Sequence, residues 1–259
     1  VIDQLSALVG ATSFEDERGQ ATVMVGGGIA IVQGDNVRNL TTTRNAATGL
    51  HTIATADGAA INLDSRLSSG KIGGLLALRD NELPSRMAEL DQLAYDFATT
   101  TNTAHQAGVG LDGVGGRDLF VPPATIAGAA AGLALNPVIA TNPRLLGAAQ
   151  NAASLPGDGT AAQALAALET STIAGGGSQT AAEAAGSWYA NIGLTGQNID
   201  NAATTTTNRL ATLTDAESSL SGVSLEEQMI LMTQYERAYQ ASARVLTVVD
   251  QMMETLVQL

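Results

Sequence analysis

The sequence predicts an α+β fold: a long α-helical, coiled-coil-like bundle carrying a small antiparallel β domain. Three observations predict it. Apolar and polar residues alternate with period two, between glycine-rich turns, from about residue 11 to 64. Helical spacing of three and four then returns and dominates the last 80 residues. The composition, 45% hydrophobic but only 3% aromatic in 259 residues, suits closely packed Ala-rich helices better than an aromatic-centred core.

Each element has its own local signal. Ile2, Leu5 and Leu8 are spaced for one face, so residues 1–10 read as the end of a helix. TVMV and IAIV flank the turn Gly26-Gly27-Gly28, Gly34-Asp35-Asn36 is a further turn, and Asp57-Gly58 between HTIATA and AAINL is a hairpin signal. These define an antiparallel β domain over 11–68. A helical segment with a Gly/Asp loop follows over 69–120. Leu83, Met87, Leu90, Ala94 and Phe97 form one apolar stripe there, and Pro84 predicts a break or kink. Residues 121–177 are rich in Ala, Gly and Pro and read as irregular, with one short helix at 160–169. A long helix is expected over 178–222 and a terminal one over 223–259. Thr180 with Glu183, and Ser224 with Glu227, have capping-box spacing, and Ser221-Gly222 marks the break between the helices.

The terminal helix carries an unusual pattern. Leu225, Met232, Tyr239, Leu246 and Met253 recur every seven residues. Tyr235, Val249 and Leu256 stand three positions further on, with Ser242 the polar exception, and Leu231, Ala238, Val245, Met252 and Leu259 form a third row. Three apolar rows make a stripe wider than a two-helix seam needs. The preceding helix offers Trp188, Ile192, Ile199, Leu210 and Leu213 but is interrupted by Thr and Gly, so the stripe is expected to find its partners outside this chain. The residues assigned to assembly or partner-helix packing are Leu225, Met232, Tyr235, Tyr239, Leu246, Val249, Met253 and Leu256.

Charge and residue content narrow the chemistry. There are 12 basic and 25 acidic residues, a formal charge of −13, which repels phosphate backbones and anionic surfaces; neither nucleic acid nor membrane is an expected partner. The absence of Cys removes disulfides and thiolate sites, and two histidines, His51 and His105, make a His-built zinc site a poor reading. No metal or cofactor is expected. Gly108, Gly110 and Gly113 spell G-x-G-x-x-G, but they follow a helix end rather than a strand and read as a loop. Asp112 and Asp118 around Gly115-Gly116 read as a turn, and His51 and His105 as structural or exposed side chains. Glu226-Glu227 and the acids at 15–17 read as solvated surface. No nucleophile, P-loop or metalloprotease motif is present, so no enzymatic activity is expected.

The segment SGVSLEEQMILMTQYERAYQASARVLTVVDQMMETLVQL resembles the C-terminal signature of bacterial flagellar axial proteins, in particular the hook-associated protein 1 (FlgK) family. The matching positions are Ser221-Gly222-Val223, Leu225-Glu226-Glu227, Tyr235 and Ala238-Tyr239-Gln240-Ala241. LSALVGATSFEDERGQATVMVGGGIAIVQG resembles that family's passage from its helical into its β domain. LRDNELPSRMAELDQLAYDFATTTNTAHQAGVGLDGVGGRDLF resembles its return helix and loop, and LPGDGTAAQALAAL its Pro-Gly-Asp block, with Gly159 where Asn is usual. The resemblance covers most of the chain apart from roughly 121–150.

It implies a structural role at the junction between flagellar hook and filament, outside the cell, after export without a cleaved signal. It implies as partners further copies in a ring or helical array, hook protein, a second hook–filament junction protein, and an export chaperone for the C-terminal helix. The chain starts at Val1, which points to a fragment without the family's N-terminal helical segment. Alternatives are a hook- or rod-type axial protein, or an adhesive module on a flagellar scaffold.

Overall fold

The computed structural model describes the backbone of residues 1–221 and 225–257 and the side-chain surroundings of 1–219 and 226–253. It is α+β, and it divides into one unit over Val1–Asn191 and a second over Ile192–Leu259.

The first unit opens with α1 (Ile2–Val9). Gly10 ends it at φ 65°, in the left-handed region, and returns its N–H to Ser6 O at 2.7 Å. A β-carbon at residue 10 would collide with Ser69, and one at residue 70 would lie 2.6 Å from the Gly10 nitrogen. The two glycines therefore let the chain leave α1 and enter α2 (Gly70–Ala77) at one close crossing.

Between them lies the β domain. Strands β1 (Thr12–Glu15), β2 (Ala21–Val25), β3 (Ile29–Gln33) and β4 (Asn36–Val37) form an antiparallel sheet in chain order. Gly26, Gly27 and Gly28 all take positive φ in the β2–β3 turn, and a bulge falls at Val23/Met24. Val23, Val25 and Ile31 point inward and share a core with Val9, Ala11, Leu63, Leu67 and Leu76, so the sheet packs on α1 and α2. A second sheet pairs β5 (Leu40–Arg44) with β6 (His51–Thr55). The expected Asp57-Gly58 hairpin is shorter than its sequence signal: the return arm forms one bridge, Ala54 to Asn62. Asp64 ends it, because its carboxylate rather than a backbone carbonyl accepts the Ile53 N–H at 2.7 Å.

Where a break or kink is expected at Pro84, the regular α-helix is interrupted just before the proline. A turn of π-helix, Leu78–Glu82, joins α2 to α3 (Leu83–Gln106). The wider turn takes up the missing N–H and the ring of Pro84, which then sits in the first turn of α3 where no intrahelical donor is needed. The same turn presents Arg79 to Asp64 at 3.2 Å, to Asp80 at 2.6 Å and to the His51 carbonyl.

The apolar stripe on α3 is corrected as well. Ala94 is buried and Phe97 packs on Phe120, with ring centroids 5.6 Å apart, but Leu83, Met87 and Leu90 are exposed. The buried face is instead small and polar: Ala94, Ala98, Thr101, Asn102 and His105. The segment that covers this face is held close by backbone hydrogen bonds, which leaves room only for small or hydrogen-bonding side chains.

That segment contains α4 (Ala129–Gly132), α5 (Pro137–Thr141) and α6 (Thr160–Ala166), which continues as a 3₁₀ turn to Glu169 and so fills the expected 160–169 helix. α7 (Ala181–Ser221) starts in the first unit; α8 (Leu225–Val257) lies in the second. The Thr180–Glu183 capping box forms: the Thr180 N–H donates to Glu183 Oε2 at 2.8 Å, and the Glu183 N–H donates to Thr180 Oγ1 at 3.2 Å. The Ser224–Glu227 box falls outside the described residues, because Ser224 does.

Candidate assembly surface

Side chains with chemical potential are spent on holding loops to α3. His105 is 1% exposed. Its Nε2 accepts the Gly147 N–H at 2.9 Å, so Nδ1 carries the proton and donates to the Arg117 carbonyl at 2.7 Å. Both ring nitrogens are thus committed to backbone. Asn102 acts as a substitute strand, exchanging two hydrogen bonds with Phe120 at 2.8 and 3.0 Å. From α3, Asp91 accepts the Gly128 and Ala130 N–H groups at 2.8 and 2.9 Å and so caps α4.

The glycine loop is equally structural. A β-carbon at Gly108 would strike the Gly147 carbonyl, and one at Gly110 would lie 3.0 Å from Leu145 O, so these glycines permit close backbone approach. Asp112 forms an ion pair with Arg117, whose guanidinium holds the carboxyl below the ordinary carboxylate range, while Asp118 accepts from Gln106 at 2.6 Å. His51 lies exposed in β6, and Asp16 accepts the N–H groups of Arg18 and Gln20 in the β1–β2 turn.

Asp158 gathers four donors. It accepts from the hydroxyl and N–H of Thr160 at 2.7 and 2.9 Å and from the N–H groups of Gln150 and Asn151 at 2.8 and 3.2 Å. These bonds favour the ionised form and lower its pKa to about 2. The Trp188 indole donates to the Arg86 carbonyl at 3.1 Å, fixing the start of α7 to α3 beside a cleft of about 470 Å³. Among the described residues no three His, Asp or Glu side chains are grouped to hold a metal, and no helix is long and apolar enough to cross a membrane.

The site that stands out is a surface. Every residue described in α8, from 226 to 253, is exposed. Met232 is 72% exposed, Tyr239 78%, Leu246 66% and Met253 59%; Tyr235 and Val249 are exposed in the row beside them. The side chains of Leu225 and Leu256 fall outside those described. The third row, Leu231, Val245 and Met252, is open to solvent too. Sequence reasoning missed Met229, Ile230 and Val248, equally exposed but off the three rows, and it treated α7 only as a weak partner. In α7, Ile192, Ile199 and Leu213 repeat at multiples of seven with Thr206 between, and all three apolar members are exposed.

The Ser and Thr hydroxyls described in α8 are satisfied within the helix. Thr233, Ser242 and Thr247 each donate to the carbonyl four residues back, at 2.8 to 2.9 Å. At the other end, Glu226 and Glu227 occupy the first turn, where the helix dipole favours negative charge. Exposed apolar faces of this extent generally mark association surfaces, and each large side chain that a partner buries contributes about 1.5–3 kcal/mol.

Comparison with known proteins agrees in two separate regions. Residues 1–120 match the family model described as the flagellar hook-associated protein FlgK helical domain, and residues 218–259 match that of the flagellar basal body rod FlgEFG protein C-terminal region. Flagellar hook-associated protein 1 of Escherichia coli (strain K12) is 32% identical over 124 residues, covering 46% of this chain and 23% of that protein. The Bacillus subtilis (strain 168) protein of the same name is 26% identical over 289 aligned positions, covering 99% of this chain and 56% of that protein. A solved structure, the flagellar hook junction protein FlgK from Burkholderia pseudomallei, aligns at 31% identity and a TM-score of 0.41 over 46% of this chain and 23% of that one. The chain spans between about a quarter and about half the length of these relatives. Residues 1–120, through α3 and its loop, are thus similar to the FlgK helical domain, and the region that contains α8 is similar to the C-terminal region of the flagellar rod FlgEFG proteins.

Proposed function

We propose that this chain is a structural subunit of the bacterial flagellum and forms part of the junction between hook and filament, with α8 as the face through which it assembles. The observation that carries the reading is the exposure of Met232, Tyr235, Tyr239, Leu246, Val249 and Met253 along a helix with the axial C-terminal signature. Leu225 and Leu256 extend the same rows in sequence. Subunits repeating around an axis meet through unlike surfaces, so a stripe that its own domain leaves bare suits a ring or helical array.

The partners on this reading are further copies, hook protein, a second hook–filament junction protein, and an export chaperone that shields α8 before assembly. The protein works outside the cell, in the flagellum, after export without a cleaved signal. Catalysis, cofactors, nucleic acid and membrane have no part in it. Its polar side chains are already committed to backbone, as His105, Asp91 and Asp158 illustrate.

The test is binding of gold-labelled chain to purified hooks, viewed by electron microscopy. Label at hook ends, lost in Leu246→Asp while the circular dichroism melt is unchanged, is the expected result. Label absent from hook ends, or undiminished in the variant, contradicts the proposal.

A further inference from the structure

We infer that in the assembled state the outer edge of β1 in one copy adds to the outer edge of β5 in the next, so that neighbouring β domains join strand to strand. The inference rests on reading the chain as a repeating structural subunit, and it names a contact surface other than α8.

Strand β1 ends the first sheet, and β5 pairs on one side only, with β6. The hydrogen bonds show which main-chain groups face outward. Asp16 donates its N–H to Gln20 O at 3.0 Å, so the alternate residues Ser13 and Glu15 turn their N–H and C=O groups away from β2. In the second sheet Ile53 O accepts the Leu63 N–H at 2.8 Å and the Thr55 N–H donates to Ile61 O at 3.1 Å, so both residues face away from β5. Thr42 and Leu40 stand opposite them in register, and therefore Leu40, Thr42 and Arg44 face away from β6. Among the described residues no hydrogen bond reaches the main-chain groups of Ser13, Glu15, Leu40, Thr42 or Arg44. Every residue of both strands is exposed. A bare row of this kind is a template for one more strand.

Charge selects the strand that is added. The end of β1 runs into Glu15, Asp16 and Glu17, with only Arg18 against them. Strand β5 is flanked by Arg38 and Arg44, neither of which forms an ion pair among the described residues. The acid beside it, Asp57, has its carboxylate taken by the Asn39 N–H at 3.0 Å. Two β1 edges laid together would gather the acids of both copies within about 20 Å of strand, and two β5 edges would gather the guanidiniums. Unlike edges bring opposite charges together whichever way the strands run: parallel, Glu15 falls beside Arg44; antiparallel, Glu17 falls towards Arg38.

A second copy is the occupant because this chain carries both edges. Each copy offers one acidic edge and one basic edge, so the contact is heterologous and repeats from copy to copy, as a ring or helical array requires. The added strand also covers Phe14 and Leu40, both exposed on the strands concerned. Main-chain hydrogen bonds supply the attraction, and the charges reject the pairing of like edges.

The absence of cysteine makes the test clean. Ser13→Cys and Thr42→Cys are made separately in the full chain, at exposed positions, and checked for an unchanged circular dichroism melt. The two variants are bound to purified hooks, alone and mixed, and treated with a bis-maleimide linker spanning about 10 Å, twice the spacing of neighbouring strands. The expected result is a cross-linked pair holding one copy of each variant in the mixture, and the loss of any pair when either variant is used alone. Pairs formed equally well by one variant alone mean that like edges meet, and overturn the inference. Chain bound at hook ends without cross-linked pairs in the mixture overturns it too and leaves the proposed function standing. Chain absent from hook ends removes both.

Discussion

His105 and Asp158 show what single polar residues accomplish in this chain. His105 joins three pieces of backbone, and its replacement by Ala leaves the Arg117 carbonyl and the Gly147 N–H unpaired beside a cavity. The expected cost is about 3 kcal/mol in urea unfolding of the whole chain; a change within about 0.5 kcal/mol, the range of an ordinary surface substitution, would show that the histidine is not a clamp. Asp158 has a definite pH signature. Its pKa is lowered to about 2 from the ordinary 3.8, so its contribution is present in full above the unfolded value and is lost as pH falls towards 2. Asp158→Asn is therefore less stable than the parent by a constant margin above about pH 5, and the gap closes between about 4 and 2. A gap unchanged at pH 2, measured by acid-dependent thermal melts, would refute the assignment. Sequence alone marked His105 as structural or exposed rather than catalytic, since no nucleophile or metal partner accompanied it. It did not supply the partners, Arg117 and Gly147, because a loop's return to a helix leaves no periodic trace.

At the scale of elements, what was legible depended on whether the signal was local. The glycine turns of the β domain, the Thr180–Glu183 box and the 160–169 helix depend on neighbours in sequence, and each formed where its residues indicated. The α3 stripe did not, because spacing identifies an apolar face without saying what covers it. Leu63 lies at 0% exposure in the core whereas Met87 is 65% exposed. Leu63→Ala should accordingly cost roughly 2–5 kcal/mol and Met87→Ala less than about 1 in chemical denaturation; equal costs would place the core on the wrong face of α3. Pro84 marked an interruption of regular α-helix but not its form. A proline argues against the regular helix at its own position, but a π turn just before it satisfies that constraint without breaking the helix.

For the molecule as a whole, the α+β class and the exposed terminal stripe follow from sequence, while the division at residue 192 does not, since α7 passes through it as unbroken helix. The first unit carries its own core of Val9, Val25, Ile31, Leu63 and Leu76. Deleting 225–259 should therefore leave the β-type circular dichroism and the protease resistance of 1–191 intact, and a general loss of structure would show that the core depends on α8. The central claim is that α8 serves association rather than the fold of its own chain. Isolated helices draw most of their stability from packing, so an unpacked α8 opens readily. The most direct measurement is amide hydrogen exchange across 225–257 on the dilute chain, alone and with purified hooks. The account predicts fast exchange in the dilute chain, slowed when hooks are added; strong protection in the dilute chain alone, or no slowing on hooks, would contradict it.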